Sequence, residues 1–257
     1  MRNDLLELLI NPYSGNELKR ESELLVDKVT EERFPIKNGI PVLIREEEVK
    51  GLNKLYQKRY DWLAYFYDFM IGTIGSLIGG KEAFKSIAEI IEVKETDRVL
   101  ETSIGTGMEI KNFHDYGKKA EYIGLDISYG MLKKCLRNSI KWNIDIALVQ
   151  GNAETLPFKE EAFDMVFHIG GINFFNNKAK AVQEMIRVAK PGAKIYIGDE
   201  TVKQIEKQPK IISYFYQKPD PEIYDPPVKY IPEEMLDVTT HFLWNEMLYL
   251  ISFQKPM

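Results

Sequence analysis

The chain of 257 residues has little cysteine or histidine and no long apolar run. Its single cysteine, Cys135, excludes a disulfide framework and a cysteine metal site, and we interpret it as a small apolar residue on a helix. The start, MRNDLLELLINP, lacks the basic and apolar regions of a secretory signal. These absences predict a cytoplasmic protein.

The longest weakly polar stretch, residues 69–80, is too short to span a bilayer and is rich in glycine. It is either a mobile cover over an apolar substrate or a packed helix and turn at the domain edge. No transmembrane span is therefore expected.

The formal net charge of the chain is -5, and no segment is enriched in lysine and arginine. A protein that binds nucleic acid usually carries a basic patch. The charge distribution therefore argues against a nucleic acid partner and leaves small-molecule substrates open.

The length allows a large domain with a small one, and the character of the chain changes near residues 45–54. Before that point, short apolar runs are separated by turn-forming residues such as Asn38-Gly39, which indicates small hairpins. We predict a β-rich subdomain over residues 1–50 and a main domain over residues 51–257.

From Asp97 onward, short apolar runs alternate with helical patterns, which predicts an α/β fold with a parallel sheet covered on both faces. Pro191-Gly192 indicates a stop after the last of these helices. The region 201–232 resists assignment. The predicted strands are 99–102, 122–126, 146–150, 163–169, 194–198 and 248–254, and the predicted helices are 109–116, 129–140 and 178–189.

The segment from Glu101 to Gly107 carries the first sign of chemistry, because an apolar strand ends in an acid and enters a glycine turn. Ligands of open parallel sheets bind at the carboxyl ends of strands, and glycine allows close backbone approach. This segment predicts a nucleotide-type cleft, the alternative being a strand-to-helix turn without a ligand.

Glycine spacing separates two kinds of nucleotide. A dinucleotide site needs a small residue three places after the second glycine, where this chain has the bulky Ile110. The carboxylate of Glu101 would repel a pyrophosphate but would attract the cationic sulfonium and amino groups of S-adenosylmethionine. The segment therefore favours S-adenosylmethionine over NAD.

Asp126 ends the second predicted strand, 19 residues after Gly107. A carboxylate at this position accepts hydrogen bonds from ribose hydroxyls in either kind of cofactor. The alternative is a cap for the following helix, which Ser128 would provide equally well.

Three further segments carry a resemblance to a known family. They are GNAETLPF at residues 151–158, FDMV at 163–166 and EMIRVAKPGA at 184–193. They resemble class I S-adenosylmethionine-dependent methyltransferases of the ubiquinone/menaquinone-biosynthesis type, the methyltransferase 11 group, from about Tyr60 to Gly198. The resemblance implies a doubly wound, mostly parallel, seven-stranded Rossmann-like sheet and S-adenosylmethionine as methyl donor.

The resemblance also implies a set of donor-binding residues, with two departures from the family pattern. Ser103 replaces the first glycine of the donor loop, and Asn152 replaces an acid that meets the adenine amino group. The implied set is Tyr60, Tyr67, Glu101, Thr102, Ser103, Gly105, Thr106, Gly107, Asp126, Ile127, Ser128, Met131, Gly151, Asn152, Ala153, Glu154, His168 and Gly170.

Two segments outside the main sheet resemble further parts of known methyltransferases. Tyr60-Asp61 and Tyr67-Asp68 resemble a paired segment that closes over the donor, although a core aromatic stripe would look the same. Residues 1–44 resemble a Trm112-type domain with Asn11 and Ser14 in place of zinc-binding cysteines, so no metal is expected.

The acceptor side is predicted beyond the strand that ends near His168. His168 is either a base or a buried histidine, and no catalytic residue is assigned. Aromatic residues, among them Phe174, Phe175 and the segment 214–216, would line an apolar or aromatic acceptor pocket or belong to the core. The leading hypothesis is a small-molecule methyltransferase, and the alternative is a catalytically degenerate module that binds the donor or a partner.

Overall fold

The computed structural model describes residues 1–64, 80–207 and 220–257. Its strands are β1 (Leu18–Glu21), β2 (Leu24–Asp27), β3 (Arg33–Lys37), β4 (Ile40–Pro41), β5 (Arg98–Thr102), β6 (Glu121–Asp126), β7 (Ile146–Gln150), β8 (Phe163–Ile169), β9 (Ala189–Glu200), β10 (Leu236–Leu243) and β11 (Leu248–Gln254). Its helices are α1 (Asn3–Leu8), α2 (Gly51–Leu63), α3 (Gly80–Ile90), α4 (Met108–Asp115), α5 (Tyr129–Trp142), α6 (Lys178–Val188), α7 (Val202–Lys207) and α8 (Pro221–Tyr224).

Over the described residues, the main sheet has seven strands in the order β10-β11-β9-β8-β5-β6-β7. The strands from β9 to β7 pair in parallel, and β11 is antiparallel to both β9 and β10. The strand order reverses between β5 and β8, which is where such sheets bind ligands. The structure confirms the predicted doubly wound, mostly parallel sheet.

Both faces of the sheet are covered by apolar side chains, which explains why its central strands have nearly continuous apolar sequences. On one face, α3, α4 and α5 pack over Val99, Leu148 and Phe167. On the other face, α6 and the N-terminal segment pack over Leu100 and Val166. Cys135 is a buried free thiol within the first of these layers, as interpreted from the sequence.

The N-terminal strands form an antiparallel sheet in the order β1-β2-β3-β4, which confirms the predicted hairpins. Asn38 and Gly39 both have positive φ, as the tight turn between β3 and β4 requires. This sheet joins the main one, since the Leu43 amide donates to the Gln150 carbonyl over 2.8 Å. The boundary at residue 50 stays a prediction, because apolar residues of both parts share one core.

Asn11 and Ser14 belong to a hydrogen-bond network centred on Asp27. Its Oδ2 accepts hydrogen bonds from Asn11 Nδ2 at 2.7 Å and Ser14 Oγ at 2.6 Å. Burial raises the pKa of Asp27, but hydrogen bonds from Ser14, Thr30 and Val29 outweigh it and hold this pKa well below its usual value. A carboxylate and its donors thus tie the loops together. The resemblance to a Trm112-type domain stays a prediction.

Several elements differ from their prediction. Residues 3–8 form a helix that the hairpin prediction missed, and β10 was not predicted. The helix α6 ends at Val188, before Pro191-Gly192, as predicted, but β9 begins at Ala189 and not at Lys194. It crosses this pair at an irregularity in its pairing with β8, with Gly192 at a φ of 75°. The predictions for residues 67–68, 69–79 and 214–216 lie outside the described residues.

No helix in the described parts of the chain has the length and apolar character to cross a membrane.

Candidate active site

The carboxyl end of β5 places Glu101 at the reversal of strand order. Its side chain is 1% exposed, and its Oε2 has no hydrogen-bond partner among the described residues. Burial raises the pKa of Glu101 well above its usual value, and the nearby acids Glu109 and Asp126 raise it further. A cationic group that reached this oxygen would satisfy it and would favour its charged form.

The turn after β5 is open at Gly105, which has a φ of 53°. A Cβ atom built at this position would meet no atom within 4 Å, so the backbone borders free space. Gly107 serves a different purpose, since its Cβ would lie 2.8 Å from the sulfur of Cys135. The first glycine therefore leaves room for a ligand, and the second allows α4 to approach α5.

Ser103 has a φ of 136°, a conformation that glycine adopts far more readily than serine. Backbone strain therefore lies between Glu101 and Gly105, at the position where the family pattern has glycine.

Asp126 ends β6 beside this turn and is 8% exposed. Its Oδ2 accepts a hydrogen bond from the Gly105 amide and its Oδ1 one from the Ser128 amide, both at 2.8 Å. Burial raises the pKa of Asp126 to about 6, against these hydrogen bonds, which lower it. The side chain thus joins the two ligand-facing turns and still has acceptor capacity for a ribose.

The start of α5 is capped by Ser128, whose Oγ accepts from the Met131 amide. The same hydroxyl donates to Asp61 Oδ1 over 2.6 Å, and Asp61 also accepts from the Gly130 amide. Asp61 therefore fastens α2 beside the donor loop. Ile127 is held by Gln57 and Gln150, which both donate to its carbonyl. Tyr60 lies one residue before this link, and Tyr67 lies outside the described residues.

The loop after β7 brings Gly151 and Ala153 beside β6, because the Gly151 amide donates to the Asp126 carbonyl. Asn152 uses its Oδ1 to accept from the Glu154 amide at 2.9 Å, so the oxygen expected to meet adenine already has one donor. Glu154 has a bracing contact, since its Oε1 accepts from Asn53 and from the amides of residues 176 and 177. These contacts brace the loop, and the donor roles of both side chains stay predictions.

His168, near the end of β8, is completely buried. Its Nδ1 lies 2.7 Å from the Thr102 carbonyl oxygen, which can only accept, so Nδ1 carries the hydrogen. Burial lowers the pKa of His168, and its Nε2 has no partner within the described parts of the chain. The ring fastens β8 to β5 through the Thr102 carbonyl. Gly170, which follows, borders open space as Gly105 does.

Two acids of the site escaped sequence reasoning. Glu109, in the first turn of α4, has its pKa raised by burial to about 7. Asp199, near the end of β9, accepts from the amides of Gly171 and Asn173 and so holds the turn after β8. Asp199 could have been identified as an acid at a strand end, because it directly follows the predicted strand 194–198.

The donor fits this arrangement on two observations. Glu101 offers a buried carboxylate oxygen without a partner, and the backbone beside it is open at Gly105 and Gly170. In the same turn, the buried hydroxyl of Thr106 has no hydrogen-bond partner among the described residues. An acid at this point favours a cation over a pyrophosphate.

Comparison with known proteins finds similarity to methyltransferases. Residues 100–197 match the family model described as "Methyltransferase domain". The demethylmenaquinone methyltransferase of Renibacterium salmoninarum is 37% identical over 102 residues, which cover 40% of this chain and 40% of the relative. The ubiquinone/menaquinone biosynthesis C-methyltransferase UbiE of Wigglesworthia glossinidia brevipalpis is 31% identical over 150 residues, covering 56% of this chain and 59% of the relative.

Among solved structures, a putative S-adenosyl-L-methionine-dependent methyltransferase of Methanococcus maripaludis superposes with a TM-score of 0.59 at 18% identity. The superposition covers 83% of this chain and 98% of the other, and it establishes a shared fold. The matches to the two curated relatives above span 40% and 59% of their length.

The main sheet therefore has the Rossmann-like fold that class I methyltransferases share. Within that fold, residues 100–197 match the methyltransferase domain family, and S-adenosylmethionine is the cofactor named for the structural neighbour from Methanococcus maripaludis.

Proposed function

We propose that this protein is an S-adenosylmethionine-dependent methyltransferase that acts on a small-molecule acceptor. The observation that carries the proposal is the unpartnered, buried Oε2 of Glu101 beside the open backbone of Gly105. Glu101 accepts the donor's amino group, Asp126 accepts its ribose hydroxyls, and the loop 151–153 borders its base. A cytoplasmic location is part of the same proposal.

When bound, S-adenosylmethionine supplies a methyl group already activated by the positive sulfur. The protein's own contribution is alignment of donor and acceptor, which is worth up to roughly 7–11 kcal/mol of the barrier. The two turns joined by Asp126 hold the donor, and the turn after β8, held by Asp199, faces the acceptor. The names of the relatives make a quinone-like acceptor the first compound class to test.

Titration calorimetry with S-adenosylmethionine, S-adenosylhomocysteine and NAD tests the donor assignment. We expect both sulfur compounds to bind and NAD not to bind. Binding of NAD alone would contradict the proposal.

A second candidate is a degenerate donor-binding module without turnover. It is favoured by the strained Ser103 and by the Asn152 oxygen that already accepts a hydrogen bond within its own loop. Formation of S-adenosylhomocysteine with demethylmenaquinol analogues and other phenolic acceptors supports the enzyme. Donor binding without product from any acceptor supports the module.

A further inference from the structure

A cavity of about 340 Å³ lies beyond the turn that follows β8. This volume lies at the lower end of the range for small-molecule binding sites. The walls combine apolar and aromatic side chains with amides and one inner ammonium group. They include Leu52, Asn173, Phe175, Lys178, Pro226 and Tyr230.

The cavity adjoins the proposed donor site through one short turn. Asp199 holds the Gly171 and Asn173 amides of that turn, with Gly170 and Gly171 bordering open space. Phe175 lines the cavity, and its ring centroid lies 5.2 Å from that of His168. A molecule in the cavity is thus separated from the end of β8 by one aromatic ring.

Lys178 is the unusual member of the lining. Its ammonium group donates to Asn173 Oδ1 at 3.3 Å and to the Ile223 carbonyl, both of them neutral oxygens. No carboxylate of the described residues lies within ion-pair distance of it. Two acceptors leave a third N–H to be satisfied, because an ammonium group has three donors.

The other charges around the cavity differ from Lys178 in being exposed. Glu222, Asp225 and Lys229 all lie at the solvent-exposed rim, whereas Lys178 is partly buried. Solvent screens the rim charges, which leaves Lys178 as the least exposed charged group among the residues that line the cavity. Burial lowers the pKa of Lys178, against the nearby acids Asp199 and Asp225, which raise it. An anion in contact would offset this loss of solvation.

We propose that this cavity binds the methyl acceptor, and that the acceptor is an aromatic compound with a carboxylate or phenolate oxygen placed on Lys178. The aromatic ring lies between Phe175 and Tyr230, and the anionic oxygen accepts the third N–H of Lys178. This inference rests on the proposed function, since it takes the neighbouring cleft to hold the methyl donor.

Two matched probes test the charge. 4-Hydroxybenzoate and its neutral analogue 4-hydroxybenzamide are titrated into the full chain saturated with S-adenosylhomocysteine, and binding is followed by NMR. One charge-assisted contact predicts that the anion binds roughly tenfold tighter. Equal affinity of the two probes, or no binding of either, would overturn the proposal.

Variants locate the contact. Lys178→Met should remove the preference for the anion, and Lys178→Arg should keep it. Lys180→Met is the control on the same helix, since Lys180 is exposed and does not line the cavity. Unchanged melting temperature and S-adenosylhomocysteine affinity show that Lys178→Met is folded. A preference that survives in that folded variant would contradict the role of Lys178.

The same titrations separate this proposal from the donor assignment. Absence of the anion preference in the unaltered chain, with normal S-adenosylhomocysteine binding, would refute the acceptor site alone. Failure of S-adenosylhomocysteine to bind, with the anion still held by Lys178, would refute the proposed function and leave an anion site.

Discussion

At the scale of single residues, the two acids that end β5 and β6 explain why the site is visible in the sequence. Glu101 and Asp126 each follow an apolar run, and the carboxyl ends of neighbouring parallel strands meet at one edge. Contacts that depend on other loops, such as those of Glu154 with Asn53 and residues 176–177, have no local sequence signal. The strand-end acids were therefore predictable, and the bracing role of Glu154 was not.

Gly105 offers the sharpest test of the donor loop. We predict that Gly105→Val abolishes donor binding, because the new side chain would occupy the open space beside Glu101. Gly117→Val is the matched control, since Gly117 also has positive φ and open surroundings but lies after α4. Calorimetry on both variants is expected to show loss of binding in the first alone. Retained affinity in Gly105→Val would mean that the site is misplaced.

Replacement of Ser103 by glycine is expected to stabilise the folded protein. We expect Ser103→Gly to raise the free energy of unfolding by about 1 kcal/mol, since a φ of 136° is costly for serine and natural for glycine. Urea denaturation measures this change, with Ser86→Gly in α3 as a variant expected to destabilise. A destabilised Ser103→Gly protein would show that the loop is not strained.

At the scale of elements, the apolar strands were predicted closely and the edges were not. β7 and β11 have the predicted bounds because buried strands have nearly continuous apolar sequences. β10 is mostly exposed at the edge of the sheet, so its sequence shows no comparable pattern. β9 crosses Pro191 because a bulge accommodates the missing amide.

The loops of the N-terminal sheet depend on Asp27. We predict that Asp27→Ala lowers the free energy of unfolding by about 3 kcal/mol, because donors from Asn11, Ser14 and the 29–30 amides lose their acceptor. Urea denaturation measures the effect. Asp115→Ala, which removes an exposed ion pair with Lys111, should cost about 0.5 kcal/mol or less. Equal effects of the two variants would contradict the account.

At the scale of the whole molecule, the acids of the site make stability depend on pH. The pKa of Glu109 is raised to about 7 and that of Asp126 to about 6, so the folded state holds these protons more tightly than the unfolded chain. Their stabilising contribution is present below the unfolded pKa values, about 4, and is lost as pH rises through 6 to 7.

We therefore expect the ligand-free protein to lose stability between pH 5 and pH 7.5 from these groups, and Glu109→Gln to lose less. The difference in the free energy of unfolding between wild type and variant should change by about 1–2 kcal/mol over this pH range, after a discount for the partial exposure of Glu109. Urea denaturation at a series of pH values measures it. Parallel pH profiles of the two proteins would contradict the assignment of Glu109.

The central claim concerns the donor at the ends of β5 and β6, and a crystal structure with S-adenosylhomocysteine tests it most directly. The account predicts the amino group of the ligand on Glu101, its ribose on Asp126 and its thioether facing the turn at Gly170. A ligand bound elsewhere, or no ligand beside Glu101 and Asp126 at saturating S-adenosylhomocysteine, would contradict the account.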